Sequence, residues 1–300
     1  MIEVSVITLT FNRPDTLLRC LASLQRQTLG SDRFEVVLVD VSDEPVTAIV
    51  SEFDDQLNIK HVKAENRGVA GNRNIGAGEA SAPLLAFIDD DCIAYPDWLE
   101  KLLEAYGVHP GALIGGGVAN MHPSNAVSCA GQVITDAVDR RFNPPGEPAT
   151  FFPGLNFLAP RERFLDIGGN DETFGRLAAE DREFADRWLA SGFEMFKQPE
   201  AIVIHEHRKD FMGFARQYFN YGKGAWRYHR ERRKRGDQSA GDTSRLHLGL
   251  RRYIRDSMRA YSPWMRIRIW FYLVVWEISN LLGFGWQAIV EAVRRNRSAP

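Results

Sequence analysis

The chain has 300 residues, 44% of them hydrophobic and 25% charged, and its formal net charge is −2. This composition suits a globular protein with one large or two modest domains and argues against a disordered chain. The three cysteines, Cys20, Cys92 and Cys129, lack the spacing of a metal site or a disulfide framework, which favours reduced thiols. The first strand-like run begins at Glu3 without an export leader, so we expect a cytoplasmic protein.

The charge is distributed unevenly along the chain. From His205 onward there are 20 Lys and Arg against 8 Asp and Glu, whereas the part upstream has 17 against 31. An acidic front part suits cation binding. A basic tail that contains "RERRKR" at 230–235 suits phosphates or an anionic membrane surface.

Strands and helices alternate in the first part of the chain. In order, we predict a strand at "VSVITLT", a helix at "DTLLRCLASLQRQ", strands at "FEVVLVDVSD" and "NIKHVK", a helix at "GNRNIGAGEA" and a strand at "LLAFI". This alternation predicts an α/β fold with a mainly parallel sheet between helices, and such sheets bind ligands at the carboxyl ends of their strands. Residues 10–13, Asp40 and residues 89–91 fall at such ends.

The second part continues this pattern with one interruption. We predict a helix from about Pro96 to Tyr106, strands at "ALIGGGVAN", "LNFLA" and "AIVIHEH", and a helix at "AAEDREFADRWLASG". Residues 120–152 are rich in Pro, Asn, Ser and Gly, so we expect an irregular surface segment there. After His207 the pattern changes to helices dense in Arg, Tyr and Trp.

Three consecutive carboxylates, Asp89, Asp90 and Asp91, follow the buried strand "LLAFI". Like charges at this distance repel one another, and each resists removal from water. The acidic triplet is therefore either a solvated turn or a site where at least one carboxylate binds a hard divalent cation such as Mg²⁺ or Mn²⁺.

Four segments in this order carry a family resemblance: "VSVITLTFNRPDTLLRCLASLQRQT", "FEVVLVDVSD", "NRGVAGNRNIGAGEASAPLLAFIDDDC" and "GGNDETFGRLAAEDREFADRWLASG". About the first two hundred residues resemble the inverting family 2 glycosyltransferases of the GT-A fold. The resemblance implies a catalytic domain over 1–207, with a nucleotide-binding half at about 1–118 and an acceptor half at about 119–207. Residues 208–300 then form a basic, aromatic-rich helical region.

The same resemblance implies a reaction. A sugar would pass from a nucleotide-diphosphate donor, of the UDP or dTDP type, to a hydroxyl of a glycan, lipid-linked or small-molecule acceptor by single displacement. The triplet becomes the family's DXD-type motif, with Asp89 and Asp90 near the donor and Asp91 as ligand of Mn²⁺ or Mg²⁺. His205 is expected to complete the metal site, although His207 is an alternative.

Further residues receive donor-binding roles from the resemblance. The family places an acceptor for the imide N–H of uracil or thymine at Asp40, which as a turn-capping residue would have only a local role. Residues Thr10, Phe11, Asn12 and Arg13 correspond to the segment that packs on the nucleoside. Arg73 corresponds to an arginine that contacts the diphosphate.

The catalytic base is expected in "AAEDREF". The family match gives Asp181 the role of removing the proton from the attacking hydroxyl, with Glu180 as the neighbour that raises its pKa or positions acceptor hydroxyls. Both acids also favour a helix N-terminus without any catalytic role. A nucleotidyltransferase and a non-catalytic sugar-nucleotide or glycan-binding protein remain alternatives, and the intact acid pair argues against the latter.

The tail from Trp264 is apolar but interrupted by Arg266, Arg268 and Glu277. Its longest charge-free run, Ile278 to Val290, is shorter than the roughly 20 residues of a spanning helix, so we do not expect it to cross a membrane. Two alternatives remain: a helix lying on an anionic membrane surface, and a helix packed on the catalytic domain or on a second subunit of a homodimer. Charge alone does not support nucleic-acid binding.

Overall fold

The computed structural model describes residues 1–236 and 243–297, and these form two compact units. The first unit consists of Met1–Ala119, Asn143–Gly175 and Asp181–Glu206. The second consists of Asn120–Phe142, Arg176–Glu180 and the chain from His207 onward.

The strands of the described chain form one eight-stranded sheet in the order β3-β2-β1-β4-β7-β6-β8-β5. Their bounds are β1 (Val4–Thr10), β2 (Phe34–Asp40), β3 (Ile59–Lys63), β4 (Leu84–Ile88), β5 (Cys92–Ala94), β6 (Leu113–Asn120), β7 (Asn156–Pro160) and β8 (Met195–His205). Strands β1 to β4 pair in parallel, whereas β7 runs antiparallel to β4 and β6, and β5 runs antiparallel to β8. The predicted α/β class is confirmed, and the sheet is parallel only in the part where helices connect the strands.

The helices account for most of the remaining described chain. Their bounds are α1 (Pro14–Leu24), α2 (Thr47–Ser51), α3 (Gly68–Glu79), α4 (Trp98–Val108), α5 (Ala126–Phe142), α6 (Arg161–Asp166), α7 (Glu180–Ala190), α8 (Phe211–Lys234), α9 (Thr243–Met258) and α10 (Pro263–Arg297). The predicted helical region at the C-terminus is therefore confirmed.

The register of the central strands gathers the predicted site. Strand β1 lies between β2 and β4, and Thr10 at its end is directly opposite Asp40. All residues of β2 and β4 are buried, as is usual for central parallel strands covered on both faces. The polar residues that follow β1, β2 and β4 consequently emerge at one edge of the sheet.

The expectation of an irregular segment over 120–152 is wrong, because α5 occupies much of it. The Asn125 side chain accepts hydrogen bonds from the N–H groups of Val127 and Ser128, at 2.9 and 3.0 Å, and thereby caps this helix. The first half of α5 is buried nearly all round its axis, in the core of the second unit. A helix buried in this way lacks a polar face, so its sequence shows no helical period.

Helices α8 and α10 of the second unit approach each other closely at glycines. A Cβ atom at Gly283 would lie 1.9 Å from the backbone oxygen of Phe219, and one at Gly222 would lie 2.1 Å from that of Asn280. Within α10, residues Pro263–Arg294 are long and apolar enough to cross a membrane, although buried helices of soluble proteins can share these properties.

We predict that G283A destabilises the second unit, because the added methyl group collides with a backbone atom that has no room to move. The expected loss is about 1–3 kcal/mol in the free energy of unfolding, measured by thermal or urea denaturation. The matched control is G285A in the same helix, where the methyl group enters open space and a gain of up to about 1 kcal/mol is expected. Equal effects of the two substitutions would contradict the close packing.

Candidate active site

Two arginines form ion pairs with the acidic triplet that follows β4. Arg13 Nη1 lies 2.9 Å from Asp91 Oδ2 and 3.3 Å from Asp90 Oδ1. Arg73 Nη2, from α3, lies 3.2 Å from Asp89 Oδ1. Each predicted acid of the triplet is thus in contact with a predicted donor-binding cation.

Asp90 is the most buried acid of the three, with 4% of its surface exposed. Burial and the neighbouring charge of Asp91 raise the pKa of Asp90 to about 7, although Arg13 and a 2.9 Å hydrogen bond from Thr10 Oγ1 act in the opposite direction. Thr10 is itself 1% exposed, so this hydrogen bond to Asp90 is buried.

Asp91 faces His205 through its other oxygen. Strand β5 pairs with β8 so that Cys92 is opposite His205, and the Glu206 N–H donates to the Asp91 carbonyl at 2.9 Å. This pairing leaves Asp91 Oδ1 3.6 Å from His205 Nε2. His207 belongs to the second unit, where its Nε2 lies 2.9 Å from Gln132 Oε1.

The chemistry of Asp91 and His205 fits a divalent cation. Carboxylate oxygen and neutral imidazole are ligands that Mn²⁺ accepts. Among the described residues, no group of three or more His, Cys, Asp or Glu is arranged to hold a metal ion. Mg²⁺ and Mn²⁺ in transferase sites commonly bind through one or two carboxylates together with substrate phosphates, so two protein ligands suffice.

Asp40 is fully buried and engaged by the protein itself. Its Oδ1 accepts from the Ser42 N–H at 2.9 Å, while its Oδ2 accepts from the Val46 N–H and lies 3.2 Å from His61 Nε2. Burial alone would raise the pKa of Asp40, but these hydrogen bonds outweigh it and lower the pKa. In this structure Asp40 therefore shapes the loop after β2, and its contact with a nucleotide base stays a prediction.

The loops after β1 and β2 are tied together by Asn12 and Asp43. Asn12 Nδ2 donates to Asp43 Oδ2 at 2.7 Å, and the Asp43 N–H donates to Asn12 Oδ1 at 2.9 Å. Asn12 has a positive φ of 54°, a left-handed conformation that is uncommon outside glycine, and Phe11 beside it is 47% exposed. Sequence reasoning missed Asp43, although an Asn and an Asp after two adjacent strands are a signal for such a pair.

Asp181 borders a small pocket in the first unit that has room for about one water molecule. Its two oxygens accept hydrogen bonds from the N–H groups of Arg182, at 2.8 Å, and Gly154, at 3.4 Å. Burial raises the pKa of Asp181, and the charges of Arg73 and Arg182 oppose this effect only in part. Glu180, which precedes it at the start of α7, is buried.

Gly154 is a second residue that sequence reasoning missed. A Cβ atom at this position would lie 2.3 Å from Arg73 Nη1, so the guanidinium packs directly on the glycine backbone. Arg73, Gly154 and Asp181 all line the same pocket. The Pro-Gly pair at 153–154, directly after the segment expected to be irregular, was the available signal.

The arrangement combines two chemical capabilities within the first unit. Arg13 and Arg73 place two guanidinium groups beside the acids at the edge of the sheet, and guanidinium groups suit a diphosphate. Asp181, a carboxylate whose pKa is raised by burial, is a candidate proton acceptor. Arg73 connects the two, because its guanidinium contacts Asp89 and lines the pocket of Asp181.

We predict that the stability of the ligand-free protein, in the presence of a chelator, falls as the pH rises from 5 to 8. The pKa of Asp90 in the folded protein, about 7, is above that of an unfolded aspartate, so ionisation in this range disfavours the folded state. The measurement is the melting temperature as a function of pH. In D90N the melting temperature should fall less between pH 5 and pH 8 than in wild type, whereas in D54N, which changes an exposed aspartate, it should fall as much as in wild type. Identical pH dependence of wild type and D90N would contradict the assignment.

A family model described as "Glycosyl transferase family 2" matches residues 5–128. Validoxylamine A glucosyltransferase of Streptomyces hygroscopicus subsp. limoneus is 35% identical over 230 residues, which cover 67% of this chain and 51% of that enzyme. Glycosyltransferase AglE of Haloferax volcanii is 30% identical over 225 residues, which cover 74% of this chain and 72% of AglE. The chain therefore spans about half the length of the first relative.

Among solved structures, the mannosyltransferase PcManGT of Pyrobaculum calidifontis, in complex with GDP-Man and Mn²⁺, has a TM-score of 0.64 and 17% identity. The match covers 93% of this chain and 87% of the mannosyltransferase. At this identity the likeness shows a shared fold, which agrees with the predicted GT-A fold. Together with the match to AglE, these findings show that the chain belongs to glycosyltransferase family 2.

Proposed function

We propose that this chain transfers a sugar from a nucleoside-diphosphate donor to an acceptor hydroxyl, with inversion at the anomeric carbon. The observation that supports this most directly is the position of Arg73. Its guanidinium lies 3.2 Å from Asp89 at the proposed donor site and also lines the pocket of Asp181, the proposed base. Donor and base sites so close together suit a single displacement, in which the two groups act on opposite sides of one carbon.

The donor side of this proposal uses the two arginines at the edge of the sheet. Arg13 and Arg73 would bind the diphosphate, and the loops held by Asp40 and by the Asn12–Asp43 pair would enclose the nucleoside. We propose a UDP or dTDP type of donor. The structural relative was solved with GDP-Man, so a donor panel must include guanosine donors as well.

Asp91 and His205 would hold the divalent cation. When bound, Mn²⁺ or Mg²⁺ would supply Lewis-acid stabilisation of the negative charge that develops on the leaving diphosphate. The presence of Mn²⁺ in the complex of the structural relative is consistent with such a site. The two arginines leave one of the three carboxylate charges of the triplet unbalanced, and binding of a cation at Asp91 and His205 would offset it.

Asp181 would remove the proton from the acceptor hydroxyl. Its N–H contacts from Arg182 and Gly154 fix the carboxylate, and the raised pKa makes it a stronger base than an exposed aspartate. Glu180 would act beside it, by charge or by positioning acceptor hydroxyls. The base requires the ionised carboxylate, so the rate should fall on the acidic side of the pH profile.

The reaction class is tested by the phosphate product. The protein is incubated with UDP-, dTDP- and GDP-sugars and Mn²⁺, with water or an added sugar hydroxyl as acceptor, and separately with nucleoside triphosphates and sugar phosphates. The released phosphate products are identified by chromatography. A glycosyltransferase releases the nucleoside diphosphate from one of these donors. Release of pyrophosphate from a nucleoside triphosphate and a sugar phosphate would instead identify a nucleotidyltransferase.

We predict that D181N lowers the rate of transfer by at least about a hundredfold, because an amide cannot accept the proton of the hydroxyl. Donor affinity, measured by calorimetry with the donor and Mn²⁺, should change less than about threefold. The matched control is D186N in the same helix, which should retain near wild-type transfer. Joint loss of transfer and donor binding in D181N would argue against its role as the base.

We further propose that the second unit associates with an anionic membrane surface from the cytoplasmic side. Helix α10 exposes large apolar side chains at helical spacing along one face: Trp264, Ile267, Trp270, Phe271, Val274, Ile278, Leu281, Leu282, Trp286, Ile289 and Val293. Its opposite face packs in the core of the unit through Ile269, Leu273 and Trp276. An apolar face of this length on a basic unit is typical of helices that lie in the membrane interface.

We predict that the triple variant I267S/F271S/V274S binds anionic phosphatidylglycerol vesicles at least about fivefold more weakly than wild type, because three apolar side chains no longer enter the interface. Vesicle co-sedimentation measures this affinity. The control is V108S/L165S, which removes two exposed apolar side chains of the first unit. Equal vesicle binding, or a dimer in analytical ultracentrifugation that the triple variant dissociates, would contradict a membrane role.

A further inference from the structure

Arg13 lies between the two acids on which the proposed metal and donor sites depend. The same nitrogen, Nη1, is 2.9 Å from Asp91 Oδ2 and 3.3 Å from Asp90 Oδ1. Asp91 Oδ1, the other oxygen, faces His205 Nε2 at 3.6 Å. One oxygen of Asp91 thus contacts a resident cation, and the other faces the proposed metal position.

The backbone holds Arg13 in place for this contact. Its carbonyl accepts the first hydrogen bond of α1, from the Leu17 N–H at 3.1 Å, and also accepts from Thr16 Oγ1 at 3.1 Å. The side chain crosses from the end of β1 to the end of β4 and remains 38% exposed. A fixed backbone with an accessible guanidinium allows the side chain to change partners without movement of the fold.

The contact between Arg13 and Asp91 lowers the affinity of Asp91 for a second cation. A guanidinium is permanently charged, so it reduces the negative potential at the carboxylate and repels an incoming divalent ion. A diphosphate changes this balance, because its oxygens attract Arg13 and also supply ligands to the metal. Binding of the metal and binding of the nucleotide then favour each other.

We infer that Arg13 is the resident counter-ion of Asp90 and Asp91, and that it keeps the affinity of Asp91 for a divalent cation low until a diphosphate is bound. Arg13 thereby makes metal binding dependent on the donor, in addition to contacting the donor. This inference rests on the proposed function of Asp91 as the metal ligand.

The test is the affinity for Mn²⁺ in the absence of nucleotide, measured by electron paramagnetic resonance of the free ion. R13Q removes the charge, so its dissociation constant for Mn²⁺ should be about tenfold lower than that of wild type. R13K keeps the charge on a more strongly hydrated and more flexible group, which holds the carboxylates less firmly, and its constant should fall between the two. R33Q, which breaks the distant Arg33–Glu3 pair, is the control and should match wild type.

An unchanged or weaker Mn²⁺ affinity in R13Q would overturn the inference. If R13Q does not fold, as judged by circular dichroism, the same titration of R13K decides, and a constant equal to or above that of wild type overturns it. A parallel titration with UDP present separates failure of the inference about Arg13 from failure of the proposed metal site at Asp91. If UDP promotes Mn²⁺ binding that D91N abolishes, the metal site stands whatever Arg13 does; if D91N has no effect, both fail.

Discussion

The pairing of three adjacent carboxylates with two arginines is the interaction on which this site depends. Asp89, Asp90 and Asp91 follow a fully buried strand, where their mutual repulsion would oppose folding without nearby positive charge. Arg13 and Arg73 provide that charge from the end of β1 and from α3. Parallel pairing of β1 with β4 places these residues at one edge of the sheet, so the fold and the electrostatics of the site are established together.

Local backbone strain accompanies this electrostatic arrangement. Among the described residues, Asn12 and Ala179 are the non-glycine residues with positive φ, at 54° and 75°. Asn12 precedes Arg13, and Ala179 lies two residues before Asp181. Such conformations cost free energy and persist where the surroundings fix them, which is common at functional sites. The mutual hydrogen bonds of Asn12 and Asp43 provide that fixation on the donor side.

The sequence predicted the parts of the structure that follow from local pattern. Alternating buried strands and amphipathic helices gave the α/β class, and carboxylates after strands indicated the site. It could not reveal α5, whose first half is buried nearly all round and lacks a period, nor the three-residue strand β5, whose pairing brings His205 to Asp91. Gly154 also escaped detection, because its importance arises from a contact with Arg73 that is distant in sequence.

The central claim is that a divalent ion shared with a diphosphate completes the neutralisation that the two arginines begin. Anomalous diffraction from crystals grown with Mn²⁺ and UDP tests it most directly. The account predicts an anomalous peak within bonding distance of the Asp91 carboxylate and a diphosphate oxygen, with Arg13 or Arg73 in contact with the phosphates. A diphosphate bound elsewhere, or a manganese peak away from Asp91, would contradict it.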